Sequence, residues 1–597
     1  MVDNASFLGT DDDLLPSFGH LQVKKTKGSC PYSRHESVEC GRSYVGVRHW
    51  ARRRRASIDA VLAFLQRHDE EDEEELIERR QSWAATYFGR ISKPANAFIR
   101  WYLLMTLFLF SLLSSPVWII FTPGIRDTSM DIIVVASAFF NLIWIVGVVN
   151  ALRYSQKLLR HKLQTNATTE PESGVSGTIK HLVGICIYKE PFALLKSTID
   201  SIATQPGAKE KMSVVIGIEE ETPNRDEIQQ NLFDDFQSLF ENFFVIVHPK
   251  GLPGDIPGKC SNLNYAMRAA ADRLNIDGAL SSGAHQFLVT TGDCDSIFGD
   301  GYFEALASDC WKNSPEERLF TVWQSPLFYS LNLSKSPFFV RITGLLRSFF
   351  MMAFLIPFNI NSMSIFSLTF ELYKSGSFTH PGYQMEDIIA LIRWSLVVRR
   401  QCRIRVLPVA TLSGPTSGES FLDEVYEWSR QIRRWCIGAA EVFHYFVIKS
   451  PSLPLTTAFA FAVKFIGYYG VLLGVAPLYP VFASITMAIT HSLSPEKTLG
   501  LVVRTNETFI IAMAANLAIS LFGFVAAVAI NKRCEEAFPE KHVIRSSILQ
   551  NLLDCALSWP VSVAHAVVAI FSFIEVTIRG KSACSHNASK KEDLVIP

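Results

Sequence analysis

Two aspartates separated by one residue are the first candidates for chemistry. Asp293 and Asp295 follow the apolar run from Gln286 to Thr291, which has the composition of a buried strand. Carboxylates at this spacing can address one divalent cation, because Mg²⁺ and Mn²⁺ prefer oxygen ligands and usually keep substrate phosphates as the others. The alternative is an ordinary turn, in which Asp accepts local hydrogen bonds. Other motifs must accompany the pair before a metal site is favoured.

A second acidic pair stands at the start of a predicted helix. Glu386 and Asp387 come directly before the stretch from Ile388 to Leu396. On its own the pair indicates no more than an electrostatic role, since negative side chains near a helix N-terminus complement the positive end of the helix dipole. The pair becomes informative because it lies in the sequence between the first acidic pair and a third motif.

The third motif lies inside the helical stretch from Leu422 to Phe443. Gln431, Arg434 and Trp435 are spaced i, i+3 and i+4 and therefore share one helix face. An indole beside a guanidinium suits a sugar ring and a diphosphate, because the ring is an apolar platform and the guanidinium is a planar fork for oxygens. The alternative interpretation is an amphipathic helix on a membrane surface.

Alternating strands and helices must position the first of these motifs. Apolar runs at 180–188, 213–218, 243–247 and 286–291 read as strands, and the segments 192–204 and 262–274 read as helices. This alternation predicts an α/β fold with an open, mostly parallel sheet. Ligands of such sheets bind at the carboxyl ends of the strands, where the polar residues stand.

The composition indicates a membrane protein. Of the 597 residues, 48% are hydrophobic and only 19% are charged, against about 25% charged in soluble globular chains. Apolar runs near 101–121, 132–152, 453–489, 508–530 and 547–576 reach the roughly 20 residues that cross a bilayer. We expect five to seven crossings. Basic and acidic residues balance at 57 each, so no overall field favours nucleic acid as a partner.

The order of the three motifs, followed by apolar runs, resembles the processive family 2 glycosyltransferases, the membrane group that includes cellulose, chitin and hyaluronan synthases. The resemblance covers about residues 180–445. Two earlier segments agree with it: Cys186 to Glu190 looks like the family's first strand end, and Gly258 to Asn264 resembles its segment near the diphosphate. The resemblance implies a GT-A-like α/β domain inserted between transmembrane helices.

The resemblance also implies a role for each site residue. Asp293 and Asp295 would hold Mg²⁺ or Mn²⁺, and Asp387, with Glu386 beside it, would take the proton from the acceptor hydroxyl. The residues expected to contact the nucleotide-sugar donor are Glu190, Glu220, Lys259, Asp293 and Arg434. Gln431 and Trp435 would border the acceptor. The family's second strand usually ends in Asp, whereas this one ends in Glu219, Glu220 and Glu221, which leaves open which of the three meets the base.

The expected function is transfer of a sugar, with inversion, from a nucleotide sugar such as a UDP-sugar to a growing polysaccharide. A single transfer to a membrane lipid, as in ceramide glucosyltransferases, is the main alternative. A non-catalytic membrane protein is a third possibility. The expected partners are the nucleotide-sugar donor, a glycan or lipid acceptor, and membrane lipids.

Charge in the flanks of the apolar runs predicts the orientation. Several Lys and Arg residues flank the first two apolar runs on their outer sides, whereas Arg126 is the only basic residue in the turn between the runs. Because basic flanks stay in the cytosol, the outer flanks and the catalytic domain should be cytosolic. The expected location is the plasma membrane or an endomembrane. The apolar stretch from Phe338 to Phe370 contains Arg341 and Arg347, and we expect an interfacial helix pair there. The expected organisation is a partly disordered cytosolic tail at 1–95, two transmembrane helices at 96–155, the catalytic domain at 175–450, a C-terminal transmembrane region at 453–577 and a second tail at 578–597.

Overall fold

A computed structural model describes residues 101–117, 126–165, 178–252, 258–283, 285–380, 385–415, 420–493, 495–539 and 542–579. Residues 93–250 and 256–597 belong to one compact unit, which holds all the elements below. The tail expected at 1–95 lies outside the described residues, as does nearly all of the tail expected at 578–597.

In the part of the chain that the structure describes, ten strands form two sheets. They are β1 (Thr178–Ile187), β2 (Met212–Glu219), β3 (Asn242–His248), β4 (His285–Gly292), β5 (Ile297–Phe298), β6 (Thr321–Gln324), β7 (Leu327–Phe328), β8 (Phe366–Thr369), β9 (Arg403–Val406) and β10 (Thr411–Leu412). The main sheet has the order β3-β2-β1-β4-β8-β6-β9, and a small sheet has the order β5-β10-β7. In the main sheet only β8 runs antiparallel to its neighbours. The expected α/β class and the open, mostly parallel sheet are confirmed.

Helices follow most strands, and long apolar helices flank the sheet segment. In chain order they are α1 (Trp101–Ser114), α2 (Arg126–Thr165), α3 (Phe192–Ala203), α4 (Arg225–Phe236), α5 (Lys259–Arg273), α6 (Ile276–Ser282), α7 (Tyr302–Lys312), α8 (Phe338–Phe350), α9 (Phe370–Ser375), α10 (Glu386–Val397), α11 (Phe421–Lys449), α12 (Leu455–Phe465), α13 (Tyr479–Leu493), α14 (Pro495–Glu535) and α15 (Ile548–Arg579). Single turns occur at Ala208–Lys211 and Pro315–Arg318, and π-helical segments extend α8 over Met351–Leu355 and α12 over Ile466–Val475.

The strand order creates a crevice between β1 and β4. The chain moves outward from β1 to β2 and β3 on one side, and then returns to place β4 on the other side of β1. At such a switch point the loops after the two strands diverge and leave room for a ligand. Because Ile185 pairs with Gly292, the segments that contain Glu190 and Asp293 leave the sheet at the same edge.

Two glycines set the position of α5 against this edge. Gly217 on β2 has no side chain, and a Cβ there would overlap the carboxamide of Asn262, so α5 packs directly on the strand. Gly258 has φ 147° and ψ 178°, a conformation that only glycine adopts readily, and it turns the chain into the helix. Lys259 therefore begins α5 at the mouth of the crevice.

Among the described residues, five helices are long and apolar enough to cross a membrane. They cover Val135–Leu158, Phe338–Leu355, Leu455–Val475, Ala514–Glu535 and Ile548–Ile578. Four of them fall within the runs predicted from the sequence or overlap them. The first predicted run, at 101–121, is described only as the shorter apolar helix Leu103–Val117. The chain is thus a membrane protein by these helices; its orientation stays a prediction.

The fifth candidate, Phe338–Leu355, differs from the others. Its apolar window is 89% buried in the protein, against 33–50% for the other four. It lies in the chain between β6 and β8, and these two strands pair with each other in one sheet. A single bilayer crossing would put paired strands on opposite sides of the membrane. The strand pairing therefore argues against a single crossing by this helix, and the interfacial helix pair expected from the sequence stays a prediction.

Two ion pairs connect α15 to α8 and α11. Arg341 on α8 binds both carboxylate oxygens of Asp554, at 2.6 and 2.9 Å, and both side chains are buried. Arg433 on α11 binds both oxygens of Glu575 at 2.6 Å. Bidentate pairs of this kind fix orientation as well as distance.

Candidate active site

The two acidic motifs meet at Lys259. Its Nζ lies 2.5 Å from Oδ1 of Asp293 and donates to Oε1 of Glu386 at 2.6 Å. The three side chains are only 18–25% exposed, so solvent screens the two ion pairs weakly. Burial lowers the pKa of Lys259, but the charges of Asp293 and Glu386 more than offset it and raise that pKa well above its usual range. The ammonium is therefore a permanent link between motifs 93 residues apart in the chain.

Asp295 is held from the other side by a loop that the sequence did not single out. It is fully buried, and its Oδ2 accepts hydrogen bonds from the backbone N–H of Gly414 at 2.9 Å and from Oγ of Ser413 at 3.4 Å. Ser413 follows β10, which pairs with β5 just after the Asp-x-Asp turn. The small sheet thereby orients this carboxylate.

Asp387 lies in the first turn of α10. Its Oδ1 accepts a hydrogen bond from the backbone N–H of Ile388 at 2.9 Å. Burial, and then the negative charge of Glu386, raise the pKa of Asp387 to about 7, while the positive charges of Lys259 and Arg347 act in the opposite direction. A carboxyl group whose pKa is close to neutral can both hold and release a proton under physiological conditions, which is what a general base requires.

Glu190 curls back on its own strand end. Its Oε2 accepts from the backbone N–H of Tyr188 at 2.9 Å. Burial raises the pKa of the Cys186 thiol, and the charges of Lys259, Asp293 and Glu190 all act on that thiol. Glu190 is therefore near the Lys259 ion pairs, although its carboxylate is engaged with the backbone.

The three glutamates at the end of β2 have different contacts. Glu220 accepts from the backbone N–H of Lys250 at 2.7 Å, and Glu221 pairs with Nζ of Lys250 at 2.5 Å. Glu219 lies 3.0 Å from Nδ1 of His248, and both side chains are largely buried. No described contact joins Glu220 to the Lys259 ion pairs. The donor role of Glu220 stays a prediction, and so does the choice among the three glutamates, of which Glu219 is the one buried against His248.

The motif on α11 is completed by two residues that sequence reasoning did not assign. The guanidinium of Arg347, on α8, lies 3.8 Å from the ring centroid of Trp435 and 3.8 Å from that of Tyr329. Nε of Arg434 is buried and has no hydrogen-bond partner among the described residues. Gln431 is on the same helix but has no described contact with these groups. One face of Trp435 is therefore already occupied by a cation.

A hydrogen bond one turn away fixes this arrangement. Nε1 of Trp428 on α11 donates to Oγ1 of Thr343 on α8 at 2.8 Å. Thr343 precedes Arg347 by one helical turn, and Trp428 precedes Trp435 by two, so each pair shares a helix face. The sequence signals Arg347 only as one of two arginines, with Arg341, in a largely apolar stretch.

The acidic residues fit a cation that is shared with substrate. Among the described residues no cluster of three or more His, Cys, Asp or Glu side chains could hold a metal alone. Mg²⁺, however, commonly binds one or two carboxylates and takes its other ligands from phosphates and water. Asp293 and Asp295, the second held in place by Gly414, match that donor set.

Comparison with known proteins gives weak structural likeness only. No protein-family profile and no curated protein matches the chain. Among solved structures, a mannosyltransferase from Pyrobaculum calidifontis in complex with GDP-mannose and Mn²⁺ is similar over 65% of this chain and 99% of its own, with 13% identity and a TM-score of 0.36. S. aureus TarS 1–349 is similar over 66% and 91%, with 13% identity and a TM-score of 0.30, and its UDP complex has a TM-score of 0.25. TM-scores this low carry no argument about chemistry, which rests on the site itself.

Proposed function

We propose that this chain is a membrane-embedded, inverting glycosyltransferase. It moves a sugar from a nucleotide sugar, with a UDP-sugar as the first candidate donor, to a growing polysaccharide. One observation carries the proposal. Asp387, a carboxyl group whose pKa is raised to about 7, directly follows Glu386, and Lys259 links Glu386 to Asp293 of the Asp-x-Asp turn, at the switch point between β1 and β4. A base, a phosphate-binding cation and a candidate metal site thus converge where this fold binds ligands.

The reaction is a displacement at the anomeric carbon. The acceptor hydroxyl oxygen forms the new bond to that carbon, and the bond from the carbon to the donor's diphosphate oxygen breaks. Asp387 accepts the hydroxyl proton as the oxygen attacks, and the diphosphate leaves with the electron pair. Attack opposite the leaving group inverts the anomeric configuration.

Basic residues stabilise the leaving diphosphate. Lys259 carries a permanent positive charge at the crevice, and Arg434 has a buried donor that is free to bind an oxygen. Asp293 and Asp295 would hold Mg²⁺ or Mn²⁺, which when bound neutralises charge on the diphosphate. Trp435 borders the acceptor sugar with the face that Arg347 leaves open.

Product size separates the proposed polymer synthase from a glycolipid synthase. The full chain in lipid nanodiscs is incubated with labelled UDP-glucose, UDP-N-acetylglucosamine or GDP-mannose, and the products are partitioned between organic solvent and water. We expect a water-soluble or insoluble polymer that grows with time. If all the label is found in extractable lipid, the product is a glycolipid, and single transfer replaces polymer synthesis as the proposed activity. If none of the three nucleotide sugars is a donor, the proposal that the chain is a glycosyltransferase is refuted.

Asp387→Asn tests the base. The substitution keeps the shape of the side chain and removes the proton acceptor. Transfer should fall by roughly 10²–10⁴-fold, while the affinity for UDP changes little because Lys259 and Arg434 remain. Asp300→Asn, at a turn after β5, is the matched control and should transfer at the wild-type rate. If Asp387→Asn loses UDP binding as well, the residue belongs to the donor site and the mechanism must be redrawn.

A further inference from the structure

Arg347 is an unusual cation for its surroundings. It is on α8, whose other buried side chains are mostly apolar, and aromatic rings cover both faces of its guanidinium. Stacking on Tyr329 and Trp435 stabilises the charge and holds the group rigid. The five N–H donors of a guanidinium lie in its plane, however, and rings stacked on its faces do not accept hydrogen bonds from them.

The described part of the chain does not supply that partner. No described acceptor hydrogen bonds to Arg347, and no described carboxylate forms an ion pair with it. By contrast, Arg341, which lies earlier on the same helix, binds both oxygens of Asp554. The charge of Asp387 acts on Arg347 without an ion-pair contact. A partly buried guanidinium whose in-plane donors contact no carboxylate is costly, and it indicates a ligand with oxygens that bind those donors.

The position of Arg347 favours an anion on the acceptor over the donor's diphosphate. The diphosphate has its own cations in Lys259 and Arg434, at the crevice and on α11. Arg347 instead stacks on Trp435, the acceptor-side ring, and its charge reaches the base Asp387. An oxyanion bound in the plane of this guanidinium would therefore lie beside the hydroxyl that Asp387 deprotonates.

We infer that Arg347 binds a carboxylate or phosphate oxyanion carried by the acceptor sugar, so that the enzyme extends an acidic glycan. The inference rests on the proposed function, because it names the acceptor class of the same site. Arg347 selects the acceptor, and the rings of Tyr329 and Trp435 hold its fork in the binding position before the acceptor arrives.

Small sugars test the inference without knowledge of the natural acceptor. The full chain in nanodiscs is saturated with UDP, and the binding of glucuronate, glucose 6-phosphate and glucose is measured by ligand-observed NMR. Wild type should bind at least one anionic sugar about tenfold to a hundredfold more tightly than glucose, the range expected for hydrogen bonds to a charged group. The stronger of the two anions then tells carboxylate from phosphate.

Variants test whether Arg347 is the residue that causes the preference for anionic sugars. Arg347→Gln should bind all three sugars within about twofold of one another, and Arg347→Lys should retain part of the preference because it keeps the charge without the fork. Arg430→Gln removes one positive charge from α11, where Arg430 pairs with Glu427, and should leave the preference intact. UDP binding checks that each variant is folded.

Two results would overturn the inference. One is a wild-type protein that binds glucose as tightly as both anionic sugars, a result that needs no variant to interpret. The other is an anion preference that survives in Arg347→Gln, or an Arg347→Gln protein that loses affinity for UDP and not for the anionic sugar. Since binding is measured without transfer, a protein that binds acidic sugars but transfers none would refute the proposed function and leave the oxyanion site standing.

Discussion

Glu386→Gln should move the acid limb of the pH–rate profile to lower pH. The negative charge of Glu386 is, after burial, the main cause that raises the pKa of Asp387 to about 7. With that pKa, about a tenth of the Asp387 carboxyl groups are ionised at pH 6 and about nine-tenths at pH 8. Loss of a neighbouring like charge typically lowers a carboxyl pKa by about one or more. The base would then be about half ionised near pH 6.

The direction of this pH shift depends on which protonation state of Asp387 reacts. The ionised carboxylate is the proton acceptor, so wild-type transfer should be lost as the pH falls through about 7, and the variant should retain activity further into the acid range. Glu386→Gln also releases Lys259 from one of its two ion pairs. The freed positive charge acts on Asp387 in the same direction.

The assay is initial transfer at saturating donor between pH 5 and 9, with each profile scaled to its own maximum. Scaling removes any loss of rate from poorer donor positioning. Lys259→Met is the matched variant of opposite sign, because Lys259 lowers the pKa of Asp387, and its acid limb should move to higher pH. An acid limb that stays in place in both variants would show that Asp387 is not the titrating base.

Three further outcomes can be checked. Asp295→Ala should abolish transfer, and EDTA should do the same to wild type, since the diphosphate would lose its counter-ion; activity in either case refutes the metal role. Trp435→Ala should lower acceptor use at least about tenfold, an order estimated from a lost ring contact, with UDP affinity unchanged by titration. Arg341→Gln should destabilise the protein by about 3–5 kcal/mol, because Asp554 would be left buried and unpaired; an unchanged melting temperature in detergent would contradict this.

Local patterns were enough to predict the sheet and the motifs. Continuous apolar runs such as Ser213 to Ile218 are typical of parallel strands buried on both faces, and the structure places that run inside β2. The strand order, and with it the crevice between β1 and β4, depends on pairing between distant segments. Helix–strand alternation limits this order but does not determine it.

Contacts between distant segments were beyond prediction. Lys259 was expected near the donor, but its simultaneous pairing with Asp293 and Glu386 depends on how α5 and α10 meet. Arg347 was noted only as an interruption of an apolar stretch. Its place against Trp435 follows from the packing of α8 on α11, which no periodicity encodes.

The two ion pairs of α15 connect a helix that is long enough to cross a bilayer to α8 and α11. At 1.5 Å per residue, the 32-residue helix is about 48 Å long, and Asp554 and Glu575 lie about 31 Å apart along it. Arg433, the partner of Glu575, is two residues from Trp435 on α11. A bilayer whose thickness does not match an apolar helix tilts it, and the Glu575–Arg433 pair would pass that tilt to the acceptor platform. Acyl-chain length should therefore change acceptor use more than donor binding.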